Sequence, residues 1–122
     1  MDALVIDDSR ATRAMIGRLL GHLGYPVREA ADGREGLARL AERRPRVVLV
    51  DWNMPNMNGL EFIRAVRADP SYRDLPVVMV TTEAEMSQVV RAMAAGANEY
   101  VMKPFTADVL FEKLALVGVE AV

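Results

Sequence analysis

Five residues of this chain, Asp7, Asp8, Asp51, Thr81 and Lys103, stand at the ends of short runs of β-forming side chains. Ala3-Leu4-Val5-Ile6 precedes the paired aspartates and Val47-Val48-Leu49-Val50 precedes Asp51. Val77-Val78-Met79-Val80 precedes Thr81, and Glu99 to Met102 leads to Lys103. If these runs lie parallel in one sheet, the five side chains meet along one edge. Carboxylates crowded there repel one another, so they are protonated or share a cation. An all-oxygen set of two or three carboxylates plus water suits Mg²⁺, which keeps waters and commonly also binds phosphate oxygens. There is no cysteine and only one histidine, His22, so thiolate sites, disulfides and multi-histidine metal sites are excluded. A lysine and a threonine hydroxyl beside the carboxylates supply donors for phosphoryl oxygens. Attack by a carboxylate on such a group gives an aspartyl phosphate, and a metal and a lysine offset charge on the transferring group.

The elements that must position these residues alternate along the chain. Apolar residues at 15, 16, 19, 20 and 23 have helical spacing and stop at Gly24. Val27 to Ala30 reads as a weaker strand. Asp32, with Glu35 three residues on, caps a helix with the stripe Leu37, Leu40 and Ala41, which Pro45 ends. Asn58 with Glu61 caps the next helix, whose buried face is Gly59, Phe62, Ile63 and Val66. Thr82 with Glu85 reads as a capping box before the stripe Met86, Val89, Val90 and Met93, which closes at Gly96. Thr106 caps a last helix with Leu110, Phe111, Leu114 and Val117. Glycines 33, 59 and 96 read as turn and cap residues.

Five strands thus alternate with five helices. Valine-rich strands without polar alternation point to burial on both faces. The alternation predicts an α/β fold, a doubly wound parallel five-stranded sheet with right-handed crossovers. The ligand crevice of such sheets lies beyond the carboxyl ends of the strands.

With 122 residues, the chain is the size of one domain, expected over 1–122 with no output domain. Fifteen basic against seventeen acidic residues give a net charge of −2, which argues against a general nucleic-acid or membrane-surface binder. Hydrophobic residues at 52% exclude a disordered chain. No apolar run approaches the roughly 18 residues of a membrane span, and Met1-Asp2 opens no basic signal region. A cytoplasmic protein with no nucleic-acid or membrane partner is expected.

The stretches Val5-Ile6-Asp7-Asp8, Asp51-Trp52-Asn53-Met54-Pro55 and Lys103-Pro104-Phe105, with Thr81 between the last two, resemble the receiver domain of two-component response regulators. The likeness runs from Leu4 to Leu114 and is nearest the stand-alone receivers of chemotaxis. It implies the flavodoxin-like strand order 2-1-3-4-5, which belongs to the family and is not read from residue spacing. It also implies that Asp51 accepts the phosphoryl group. Asp8, Asp51 and the backbone carbonyl of Asn53 would hold Mg²⁺, and Asp7 would hold it through water. Thr81 and Lys103 would bind the phosphoryl group. Tyr100 would be a switch aromatic that turns inward as Thr81 moves. Asn53 and Glu83 match positions that tune autodephosphorylation, and Lys103-Pro104 matches a cis bond. The implied donor is a histidine kinase or phosphotransfer protein. The implied output is altered affinity for a downstream protein target at the face of helix four, strand five and helix five, with a monomer expected. The role implied is signalling rather than enzymatic, with self-catalysed phosphoryl uptake and loss.

Other readings compete with these. A relay intermediate or phosphate sink shares the same site. A Mg²⁺-dependent phosphohydrolase working through an aspartyl phosphate typically needs a second aspartate two residues after the nucleophile, where this chain has Asn53. A binding module that takes no phosphate would not need the site residues it retains. Residue by residue, Asp7-Asp8 also suits an N-cap of the first helix. His22 reads as solvated. Arg39, Arg43, Arg44 and Arg46 read as a solvated basic face at a helix C-terminus.

Overall fold

The computed structural model describes all 122 residues apart from the side chain of Glu83. Strands β1 (Ala3–Ile6), β2 (Val27–Ala30), β3 (Val47–Asp51), β4 (Val77–Thr82) and β5 (Glu99–Lys103) form one parallel sheet in the order β2-β1-β3-β4-β5. Helices α1 (Arg10–His22), α2 (Gly33–Glu42), α3 (Gly59–Ala68), α4 (Val89–Ala95) and α5 (Ala107–Leu116) are the crossovers and the C-terminal helix. The expected fold class and strand order are therefore both present.

Period-two alternation explains why β1, and β3 and β4 up to their last residues, carry no polar positions, whereas the edge strands β2 and β5 do. Leu4, Ile6, Val48, Val50, Val77 and Met79 join a core with Leu40, Phe62, Ile63 and Ala92 from α2, α3 and α4. Ala3, Val5, Val47, Leu49, Val78 and Val80 point the other way, onto Ile16, Leu20, Leu110 and Leu114 of α1 and α5. Both faces are covered, so both must be apolar. Each buried Val, Leu, Ile, Phe or Met among them contributes about 1.5–3 kcal/mol.

Local chemistry sets the element ends. Asn58 accepts the Glu61 N–H at 2.9 Å while the Glu61 carboxylate accepts the Asn58 N–H at 3.0 Å, a reciprocal cap for α3. Asp32 and Thr106 cap α2 and α5 as expected. The α1 cap is Ser9, whose hydroxyl accepts the Thr12 N–H at 3.2 Å. Neither aspartate of the pair is the cap, and α1 begins at Arg10, five residues ahead of the apolar stripe.

The fourth helix differs most from expectation. Residues Glu83–Gln88 form a 3₁₀ segment, and α-helix begins only at Val89. Met86 is the one large apolar side chain in that segment, too little to anchor wide α turns on the sheet. The buried pair is Val89 and Ala92, whereas Val90 is 76% exposed and Met93 is 37% exposed. Glycines 33 and 59 likewise are not turn residues; they are the first residues of α2 and α3. Gly96 is a cap as expected, at φ +123°. The Lys103–Pro104 bond is cis.

The arginine cluster faces solvent as expected, with Arg43 66% exposed, and its guanidinium groups are also paired. Arg28 Nε and Arg43 Nη2 donate to buried Asp2 at 2.7 and 2.6 Å, and Arg28 also caps the Arg39 and Arg43 carbonyls. Arg39 pairs with Glu35 and Glu42. Arg44 and Arg46 donate to the carbonyls of Ser71 and Gly118. These side chains bind together the edge of the sheet opposite Asp51. Among the described residues no helix is long and apolar enough to cross a membrane.

Candidate functional site

Parallel pairing brings the site residues to one edge. Ile6 is in register with Val50, and Asp51 with Val80, so the next residues along, Asp7 and Thr81, flank the end of β3. Thr82 is in register with Lys103, which completes the row. Asp51, Thr81 and Lys103 belong to the strands themselves; they are the last or next-to-last residues of each.

Asp7, Asp8 and Asp51 each offer a carboxylate oxygen within 4.8 Å of the others. Asp7 and Asp51 are buried, whereas Asp8 faces solvent. Asp7 is fixed twice. Its Oδ1 accepts the Ser9 N–H at 2.8 Å, and its Oδ2 accepts from Lys103 Nζ at 3.2 Å. Lys103 Nζ also lies 3.6 Å from Asp51 Oδ1.

One ammonium cannot neutralise three carboxylates, and the electrostatics record it. Burial, with the charge of Asp7 adding to it, pushes the Asp51 carboxyl up to about 6 against the partial opposition of Lys103. Burial works against the Lys103 ammonium too, but Asp51 and Asp7 outweigh it and raise its pKa. Excess negative charge with oxygen-only donors, one of them open to solvent, is the donor set of a hard divalent cation. The residues present therefore fit such an ion.

The other expected residues are placed as follows. Thr81 is buried at the end of β4. Its hydroxyl lies 3.3 Å from the Thr82 carbonyl and 3.5 Å from Glu85 Oε1. Trp52 is half-buried beside Asp51, and its N–H reaches the Val80 carbonyl at 3.2 Å. Asn53 is exposed in the loop that follows. The Glu83 side chain lies outside the described residues. Tyr100 is half-buried, with Lys113 Nζ 4.8 Å from its ring centroid. Its ring borders a groove of about 360 Å³ lined also by Met102, Phe105, Val109 and Lys113.

Three neighbours of the site escape motif reading. Ser9 takes over the helix cap and hands its own N–H to Asp7. Arg13 donates to the Asp7 carbonyl at 2.6 Å and to Glu29 at 2.8 Å, so it braces the loop that bears the aspartates. Asn56, at φ +64°, donates to Asp32 at 2.7 Å and ties the loop after β3 to α2. Arg13 and Asn56 depend on partners distant in sequence or on a backbone conformation, which residue spacing does not show, whereas Ser9 bonds only its near neighbours Asp7 and Thr12 and its capping role could have been read locally.

Residues 3–115 match the response regulator receiver domain family. The chain is 45% identical over 119 residues to chemotaxis protein CheY1 of Helicobacter pylori, covering 96% of each chain. It is 46% identical over 115 residues to chemotaxis protein CheY of Pseudomonas aeruginosa, covering 93% of each. Among solved structures, chemotaxis response regulator CheY4 of Vibrio cholerae superposes with a TM-score of 0.88 at 40% identity, covering 95% of this chain and 97% of that one. With the aspartate row at the strand ends and near-complete coverage of these relatives, the chain belongs to the response regulator receiver domain family.

Proposed function

We propose that this chain acts as a receiver of two-component signalling, with Asp51 as its phosphoacceptor. The observation that carries the reading is the buried Asp51 carboxylate, set among two further carboxylates and 3.6 Å from the Lys103 ammonium. An Asp51 oxygen attacks the phosphorus of a phosphohistidine on a kinase or phosphotransfer protein. The P–N bond breaks, the imidazole leaves with the electron pair and takes up a proton, and Asp51 carries an acyl phosphate. Lys103 and the Thr81 hydroxyl then donate to phosphoryl oxygens. Asp8, Asp51 and the Asn53 carbonyl would hold Mg²⁺, with Asp7 acting through water. The ion would supply charge stabilisation for the transferring group. Asn53 and Glu83 would set how fast water removes the phosphoryl group.

The acyl phosphate shifts a pre-existing equilibrium between two conformations. Thr81 and Tyr100 move together, and the α4–β5–α5 face changes its affinity for a protein target. Support for that face is its character: an open groove beside Tyr100, with Met102 40% and Val109 41% exposed. The CheY relatives point to chemotaxis as the pathway.

Trp52 fluorescence tests the reading. Addition of Mg²⁺ and then of acetyl phosphate or beryllofluoride is expected to give two successive changes. Asp51→Asn is expected to abolish the second. A second change that survives in Asp51→Asn would place the acceptor elsewhere.

A further inference from the structure

One carboxylate outside the aspartate row has no part in this reaction and yet sits beside one of its donors, Thr81. Glu85, in the 3₁₀ segment after β4, turns back so that its Oε1 accepts the Thr82 N–H at 3.0 Å and the Thr82 hydroxyl at 3.1 Å. The Thr81 hydroxyl stands 3.5 Å from the same oxygen. Two donors of Thr82 thus converge on one carboxylate oxygen, and the Thr81 hydroxyl, 3.3 Å from the Thr82 carbonyl, stands at the limit of reach of the same oxygen. Donors gathered in this way at a turn make an anion-binding concavity, and here the anion is the chain's own. It is also near the acceptor, because the negative charge of Glu85 is one of the influences that raise the Asp51 carboxyl.

We propose that Glu85 is an intramolecular competitor of the phosphoryl group, holding the Thr81 hydroxyl and the Thr82 N–H and hydroxyl until an anion on Asp51 displaces it. The inference rests on Asp51 being the phosphoacceptor. A hydroxyl and a backbone N–H each have one proton to donate. Thr81 therefore cannot serve Glu85 or the Thr82 carbonyl and a phosphoryl oxygen at once. Glu85 is only half-buried, so its side chain has solvent to swing into. Its departure also frees the 3₁₀ segment that leads into α4, which links the state of Asp51 to the face proposed to bind the target.

The test is Mg²⁺-dependent beryllofluoride binding by the whole chain, followed by Trp52 fluorescence in wild type, Glu85→Ala and Glu85→Gln. Without the competitor, Glu85→Ala is expected to bind about tenfold more tightly, the scale of one charge-assisted hydrogen bond that no longer has to be broken. Glu85→Gln keeps an acceptor oxygen without the charge and is expected to fall between the other two. A merely structural role would weaken binding in both variants. Unchanged or weaker binding by Glu85→Ala overturns the proposal. Glu85→Gln equal to Glu85→Ala also overturns it, because the effect would then be charge acting at a distance. If wild type ignores beryllofluoride but Glu85→Ala responds, competition is complete and the proposal stands. If neither responds while both bind Mg²⁺, the assignment of Asp51 falls and this inference falls with it.

Discussion

Two buried aspartates show how one residue type is used for opposite ends. At Asp2, burial opposes the charge, but hydrogen bonds from Arg43 and Arg28 outweigh it and hold the carboxyl below its usual range. At Asp51, burial and Asp7 prevail and the carboxyl rises to about 6. The first charge stabilises the fold, whereas the second opposes it until something positive arrives. Asp51→Asn without Mg²⁺ at pH 8 is therefore expected to stabilise the protein by about 1–2 kcal/mol, allowing for screening by the solvent that reaches the site. Asp2→Asn is expected to destabilise it by about 1–3 kcal/mol, since Arg28 keeps its two carbonyl acceptors but loses its carboxylate. Urea unfolding of the two variants beside wild type checks both signs. Asp2→Asn should leave the Mg²⁺ response of Trp52 unchanged, because the arginine clasp is at the far edge of the sheet.

At the scale of elements, the junction of β3 and α3 matters most, because it carries Asp51 and Trp52 into the site. Gly59 opens α3 with its N–H on the Trp52 carbonyl at 2.9 Å. A Cβ there would run into the Asp51 carbonyl oxygen and come within 3.1 Å of Trp52 Cα. Those atoms are backbone and cannot rotate away. Gly59→Ala is expected to cost about 1–3 kcal/mol of stability, to shift Trp52 emission, and to weaken Mg²⁺ binding by displacing the Asp51 backbone. A variant with wild-type Mg²⁺ affinity and emission would show that the junction absorbs the strain. The residues at this junction also show what was legible beforehand. The valine runs of β3 and β4 and the Asn58–Glu61 cap depend on neighbours in sequence, so their positions could be read directly. So could the convergence of Asp7, Asp8, Asp51, Thr81 and Lys103, once the sheet was taken as parallel. The close approach that makes Gly59 necessary depends on how a helix end meets a strand end, and residue type alone does not reveal it. The 3₁₀ path of residues 83–88 was hidden for a similar reason. Thr82 and Glu85 do form the capping box their spacing predicts, with the Glu85 carboxylate accepting the Thr82 N–H at 3.0 Å, yet the turns that follow it are 3₁₀.

Across the whole molecule, these opposed charges give stability a particular dependence on pH and metal. A carboxyl with a depressed pKa contributes stability that is present above the unfolded value and lost as pH falls through the folded one. Asp2 therefore helps at pH 5 and above and fails in acid. A carboxyl with a raised pKa acts in reverse, because between the unfolded value and the folded one the native state binds more protons. For Asp51 that window runs from 3.8 to about 6, and stability is lost as pH climbs through it. The metal-free protein is thus expected to be most stable near pH 4–5, between the two effects, and to decline toward neutrality. Mg²⁺ binds the deprotonated row, so its stabilisation grows as Asp51 ionises. At a hundredfold excess over its dissociation constant it adds about 2.7 kcal/mol. Urea unfolding at several pH values, with Mg²⁺ or with EDTA, should then show the optimum moving toward neutral pH when Mg²⁺ is present. Asp51→Asn should have neither the decline nor most of the Mg²⁺ response. A metal-free curve that still rises from pH 5 to 7 would mean that Asp51 ionises without penalty, and that Lys103 alone meets the charge of the site.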